Sequence, residues 1–157
     1  MKPLFVIGNV GVGLLLFSLI WMNYTSFERS NAISEIEKVK NEFLFCDRKI
    51  LNAIEESSFG ECKFSVEKGM LTLQDDIIDY QIVETDICEP KDWTNLNGRI
   101  RERCIKKGSL TLYEIRWESP NIIFQKYGIR GNTVKFRKLS EININNAKGY
   151  LLSISIL

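Results

Sequence analysis

An uncharged stretch near the amino terminus, LFVIGNVGVGLLLFSLIWM, runs from Leu4 to Met22. As a helix it would be about 28 Å long at ~1.5 Å per residue, close to the ~30 Å hydrocarbon core of a bilayer. A secretory signal has an apolar centre of only about 7–15 residues, followed by a small-residue cleavage site. This stretch ends instead in the bulky WMNYTSF. We therefore expect residues 1–24 to be retained as a transmembrane helix.

Charged and aromatic residues beside this stretch indicate its orientation. Lys2 and the amino group are positive on the short side, whereas Glu28 and Arg29 cancel on the long side. Positive charge favours the cytoplasmic side, and Trp21 and Tyr24 sit where interfacial aromatic residues are common. We expect a membrane-anchored protein with its body outside the cytoplasm.

Small and polar residues inside the stretch suggest association with other helices. Glycines allow helix backbones to approach closely, and an asparagine in lipid seeks a partner on another helix. Glycine is also frequent in plain membrane anchors, so that reading stays open. The residues predicted to pack against neighbouring helices are Gly8, Asn9, Gly11 and Gly13.

Residues 25–58 have the pattern of an amphipathic helix. Apolar residues recur there at alternating intervals of four and three, which places them on one face. We expect this face to pack on the protein's own sheet, although a short coiled-coil seam is an alternative. The residues that carry the expected helix–sheet packing are Ile36, Val39, Phe43 and Ile50. The same pattern places Glu35 and Asp47 off the apolar face, and Gly60 is a natural stop.

Capping chemistry leaves the continuity of this helix open. Thr25 and Glu28 have capping-box spacing, so the helix could restart or kink there. Without a break, one helix would run from the membrane to about Glu56.

Beyond Gly60 the sequence changes to short alternating segments separated by turn residues. These are typical of strands: CKFSV, MLTLQ, IIDYQIV, RIRERCI, SLTLYEIRW, IIFQKY, TVKFRKL and YLLSISIL. The predicted fold is α+β, with a long N-terminal helix followed by an antiparallel sheet or small β-sandwich that forms a head over residues 59–157.

Cys46, Cys62, Cys88 and Cys104 are predicted to form disulfides, since an even number of cysteines in an extracytoplasmic domain is typical of a disulfide framework. A straight helix to Glu56 would leave Cys46 about 15 Å below its end at ~1.5 Å per residue. Since a disulfide needs Cα atoms within about 7 Å, we expect Cys46 to pair with Cys88 or Cys104, and a Cys46–Cys62 bond is disfavoured.

Little in the sequence indicates chemistry. There is no histidine, no C-x-x-C, no G-x-S-x-G and no phosphate-binding loop, so we expect neither an enzyme nor a cofactor. With 21 basic and 20 acidic residues, the net charge of +1 gives no basic field for nucleic acid.

Asp75, Asp76 and Asp79 could bind calcium, but they lack the glycine and closing glutamate of a calcium loop, and Asp75–Asp76 reads better as a turn. Asn23 begins a glycosylation sequon and is a candidate for modification.

The layout as a whole resembles type IV pilin-like proteins, most of all the archaeal kind. An uncharged N-terminal helix continues into an amphipathic helix, ends near SSFGE and is followed by strands such as KFSVEKGMLTLQDDIIDYQI. The resemblance implies a structural subunit of a surface filament or secretion-type assembly, whose apolar helix packs with copies of itself or related subunits. MKPLF does not supply the family's processing site, and the acidic residue that bacterial pilins carry five places into the helix is missing. The alternative function is a single-pass anchored extracytoplasmic binding domain that does not polymerise.

Overall fold

The structure is a computed structural model that describes residues 4–74, 76–129 and 133–156, with side chains for 17–74, 76–125 and 133–155. Within these ranges one helix, α1 (Leu4–Glu55), is followed by nine strands. The strands are β1 (Phe59–Lys63), β2 (Met70–Gln74), β3 (Ile77–Thr85), β4 (Lys91–Asn95), β5 (Ile100–Lys107), β6 (Leu110–Glu118), β7 (Ile122–Ile129), β8 (Thr133–Ile144) and β9 (Ala147–Ile156).

The strands form two sheets, which confirms the α+β prediction of a long N-terminal helix followed by a β-rich part. One sheet has the order β1-β8-β9-β7 and the other the order β2-β3-β6-β5-β4. All neighbouring strands are antiparallel except β7 and β9, which pair in parallel. The expectation of purely antiparallel pairing is wrong there because β8 pairs with β9 and not with β7, so that β9 lies between them.

Helix α1 runs without a break, so of the two alternatives left open at Thr25 the structure has the continuous helix. The hydroxyl of Thr25 donates to the carbonyl oxygens of Trp21 and Met22, each at 3.1 Å, instead of capping a new helix. Such back-bonding satisfies the hydroxyl inside a continuous helix.

Among the residues that the structure describes, no helix combines the length and the apolarity needed to cross a membrane. The side chains of residues 4–16, which include the predicted packing residues Gly8, Asn9, Gly11 and Gly13, fall outside that description.

The core lies between the second half of α1 and the inner faces of the two sheets. The helix contributes Ile36, Val39, Phe43 and Ile50, all buried. The five-stranded sheet adds Ile78, Tyr80, Tyr113, Ile115 and Trp117, and the four-stranded sheet adds Phe124, Val134, Phe136, Leu152 and Ile154. Burial of this apolar surface holds the helix on the sheets.

Two disulfides are present, as predicted, but their pairing is not the predicted one. Cys46 bonds to Cys62, with Cα atoms 5.5 Å apart, and Cys88 bonds to Cys104. The prediction that disfavoured Cys46–Cys62 is wrong because β1 runs back alongside the helix. An extended chain covers about 3.3 Å per residue against ~1.5 Å for a helix, so a few residues after the turn return to the level of Cys46.

Candidate functional site

The segment of α1 from Phe17 to Phe27 is a candidate contact surface. Among the helix residues whose side chains are described, from Phe17 onward, Ala32 is the first that is fully buried, and the segment before it carries large apolar side chains that are between 55% and 67% exposed. At about 100° per residue they are distributed around most of the helix circumference. These side chains are Phe17, Leu19, Ile20, Trp21, Met22, Tyr24 and Phe27. An apolar surface of this extent is typical of a segment that lies against lipid or another helix.

The four predicted packing residues lie on the helical backbone of α1 before this segment. At about 100° per residue, Gly8 and Gly11 are about 60° apart around the axis, and Asn9 and Gly13 are about 40° apart. The helix therefore groups them as two pairs on different sides, and not as one stripe.

The second half of α1 is fixed to the head by buried carboxylates, beginning with Glu35. Its carboxylate accepts hydrogen bonds from the backbone N–H groups of Glu67 at 3.1 Å, Lys68 at 3.0 Å and Gly69 at 3.1 Å. The Tyr80 hydroxyl donates a fourth at 2.9 Å. Burial alone would raise the pKa of Glu35, but the bonds from Gly69 and Tyr80 outweigh it and hold this pKa below its ordinary value.

Two further glutamates on the same flank of the helix hold the same loop. Glu42 accepts from the backbone N–H and from the hydroxyl of Ser65, each at 2.7 Å. Glu28 forms an ion pair with Lys68. The loop between β1 and β2 is thus bound to α1 at three points that are about two turns apart.

On the opposite flank, Asp47 connects α1 to the five-stranded sheet. Its two oxygens accept from Arg99 Nε at 2.6 Å and Nη2 at 3.0 Å. The indole N–H of Trp117 donates at 2.8 Å and the Asn97 amide at 3.0 Å. Burial would raise the pKa of Asp47, but the bonds from Arg99 and Trp117 outweigh it and lower this pKa.

A third buried carboxylate, Glu102 of β5, completes this flank. It accepts from Lys91 Nζ at 2.5 Å and from the Tyr113 hydroxyl at 2.7 Å, and it pairs with Lys40 of α1 at 3.2 Å. Burial would raise the pKa of Glu102, but the bonds from Lys91, Tyr113 and Lys40 lower it. Helix and sheet are therefore held by directional contacts on both sides of the apolar face.

Sequence reasoning missed the roles of Glu35 and Asp47, which it placed off the apolar face. Both are buried. At about 100° per residue they lie about 60° to either side of the line through Ala32 and Ile50. The available signal was a charged residue at the margin of a wide apolar arc. Such a carboxylate is stable in a buried position only when it is paired, so its place there indicates a partner.

The outer face of the five-stranded sheet carries a separate polar cluster. The Trp93 ring lies over the guanidinium groups of Arg103 at 4.5 Å and Arg116 at 4.9 Å. Beneath them, fully buried Glu114 accepts from Arg103 Nε at 2.6 Å and Arg116 Nη2 at 2.7 Å. Trp93 belongs to β4, a strand that the sequence did not predict.

Asp79 is the least well paired member of this cluster. Gln81 donates to its Oδ2 at 2.8 Å, but its Oδ1 and Arg116 Nε are both buried, 3.6 Å apart and without a hydrogen bond. Burial, and then the negative charge of Glu114, raise the pKa of Asp79 to about 6.

The remaining predicted site residues lie apart from these clusters. Asn23 is exposed, and its amide donates to the Leu19 carbonyl at 2.9 Å. Of the calcium alternative, Asp75 lies outside the described residues and Asp79 faces Arg116. In the described part of the chain, no group of three His, Cys, Asp or Glu side chains could hold a metal ion.

Comparisons of the chain with protein-family models, with curated proteins and with solved structures found no match.

Proposed function

We propose that this protein is a membrane-anchored, pilin-like structural subunit of a surface filament or secretion-type assembly. Its N-terminal helix anchors the chain first and then packs with the helices of copies of itself or of related subunits. The head lies outside the cytoplasm, and neither a cofactor nor catalysis is part of this function.

The observation that carries the proposal is the division of α1 into two parts. From Ala32 onward the helix is packed into the head, whereas from Phe17 to Phe27 large apolar side chains are exposed. The uncharged sequence from Leu4 to Met22 extends this apolar character to the start of the helix. Such a segment is unfavourable in water and favourable in lipid or between helices.

The docked half of the helix supports the same function. Carboxylates on both of its flanks and the Cys46–Cys62 bond tie it to the loop after β1, to β1 itself and to the five-stranded sheet. A rigid joint of this kind would transmit force between a helical assembly and its heads without the helix detaching.

Assembly within the membrane requires close packing and polar contacts, since lipid tails are as apolar as leucine. Gly11 and Gly13 allow close approach on different sides of the helix. The test is the double variant Gly11→Leu/Gly13→Leu, with Val10→Leu/Val12→Leu as a control that adds bulk at neighbouring positions. Each is followed by membrane fractionation and by crosslinking of the full chain.

Both variants should stay in the membrane, because leucine is more apolar than the glycines that it replaces, and in the control it replaces valines that are apolar already. Only the glycine variant should lose crosslinked multimers. If it inserts and still assembles like the unaltered chain, the glycines have no packing role. If the unaltered chain inserts but gives no multimers, the protein is an anchored domain that does not polymerise.

A further inference from the structure

The end of the head from which the apolar segment emerges can be identified. Tyr24 and Arg29 of α1 line a cleft together with Glu84, Thr85 and Asp86 at the end of β3. Arg29 also borders a neighbouring cleft lined by Lys106 and Thr111 of the β5–β6 hairpin. We call this end, residues 84–86 and 106–111, the exit rim.

An apolar row lies on the outer face of the five-stranded sheet beside the exit rim. Val83 of β3 is directly opposite Leu112 of β6, which is directly opposite Ile105 of β5. Val83 is 57% exposed, and Leu110, at the hairpin tip, is 45% exposed. Residues that are alternate along a strand share a face, so Leu110 extends this row toward the rim.

The height of the exit rim above the apolar segment determines which layer of a bilayer the rim could contact. From Met22 to Arg29 the helix rises about 10 Å at ~1.5 Å per residue. The headgroup layer outside a ~30 Å hydrocarbon core is about 5–8 Å thick. If the stretch that ends at Met22 spans a bilayer upright, Tyr24 lies about 3 Å and Arg29 about 10 Å above the hydrocarbon core, so the exit rim beside them reaches from the headgroup layer to just outside it.

We propose that the exit rim, with the row Val83–Leu112–Ile105, is a surface that rests on the phospholipid headgroup layer. The inference depends on the membrane anchoring proposed above and adds a second contact with the bilayer. This second contact orients the head. A helix alone lets the head rotate about the helix axis, whereas contact of the sheet tip with the bilayer restricts that rotation.

The charges of the rim favour zwitterionic phospholipid as the occupant. Lys106 and Lys107 are exposed beside Leu110, and Glu84, Asp86 and Arg29 lie within the same end of the head. Lys106 pairs with Asp86 at 3.6 Å. Interspersed charges of both signs match the phosphate and ammonium groups of such lipids, and this balanced set is not the cluster of four or more basic residues that selects anionic lipids.

The experiment places a photoreactive residue at the rim of the full chain. Leu110→p-benzoylphenylalanine is compared with Leu139→p-benzoylphenylalanine, in phosphatidylcholine vesicles. Leu139 is a matched control because it is 46% exposed, close to the exposure of Leu110. It lies at the opposite end of the head, since it follows Arg137 in β8, and Arg137 pairs with Phe59 just after the end of α1. After carbonate washing and irradiation, lipid adducts are quantified by mass spectrometry.

We expect lipid adducts at position 110 several-fold above those at position 139. Equal yields in a chain that resists carbonate would overturn the inference while leaving the anchor intact. Crosslinks from position 110 to a second copy, without lipid adducts, would assign the rim to subunit contacts and also overturn it. Removal of the chain by carbonate would refute the anchoring, and this inference with it.

Discussion

Replacing Asp79 with asparagine should remove a pH dependence from the stability of the head. The raised pKa of Asp79, about 6 against an ordinary value of 3.8, means that the folded state binds this proton more tightly than the unfolded chain does. The stabilisation is therefore fully present below about pH 4 and is lost as the pH rises through about 6. Above that range the ionised Asp79 competes with Glu114 for Arg116.

The size of the effect follows from the two pKa values. A tenfold change in proton affinity corresponds to about 1.4 kcal/mol, so the difference between 3.8 and about 6 corresponds to about 3 kcal/mol. Asp79→Asn keeps the shape of the protonated side chain without its titration. The variant should match the original chain in acid and exceed its unfolding free energy by up to about 3 kcal/mol at neutral pH.

The assay is denaturant unfolding of both chains in mild detergent between pH 4 and pH 8, followed by circular dichroism. The difference in unfolding free energy between variant and original should grow with pH. Asp92→Asn, on the exposed part of β4, is the control and should give a small difference throughout. A difference for Asp79→Asn that is constant with pH, or a variant less stable at every pH, would show that Asp79 does not take up a proton in the folded head as expected.

Two further changes test how α1 is fixed to the head. Asp47→Ala should lower the unfolding free energy by about 3 kcal/mol, because it leaves the Arg99 guanidinium and the Trp117 N–H without their carboxylate; a loss below about 1 kcal/mol in denaturant unfolding would contradict this. Cys46→Ser/Cys62→Ser opens a loop with a sequence separation of 16 and should cost about 3 kcal/mol. Non-reducing peptide mapping of the original chain should recover the Cys46–Cys62 peptide, and a Cys46–Cys88 peptide would show that the pairing is wrong.

Local periodicity was enough to predict the main elements. The four-and-three spacing around Val39 and Phe43 belongs to α1, and the alternation in MLTLQ and IIDYQIV belongs to β2 and β3. These signals work because α1 from Ala32 onward and β3 each bury one face, so the hydrophobic pattern repeats with the geometry of the backbone.

Irregular strands and strand ends were harder to predict. The segment KDWTN of β4 does not alternate, lies at a sheet edge and shifts register between Lys91 and Thr94. β8 continues to Ile144, where Asn145 and Asn146 turn with φ values of 51° and 66°. Two consecutive left-handed residues are typical of a tight hairpin turn, and the Asn-Asn pair was the available signal.

The pairings that fix the site depend on long-range geometry. The return of β1 along α1 brings Cys62 to Cys46. The backbone N–H groups of residues 67–69 reach the Glu35 carboxylate only because the loop after β1 folds onto the helix. No local pattern encodes such contacts, since each joins residues that are distant along the chain.

Assembly of this chain through its N-terminal helix can be tested on material sheared from cells that express it. Electron microscopy of that material, with mass spectrometry to identify the subunit, should reveal filaments that contain this chain. Their absence, with the chain recovered only as single copies in the membrane fraction, would show that the chain is an anchored domain that does not polymerise.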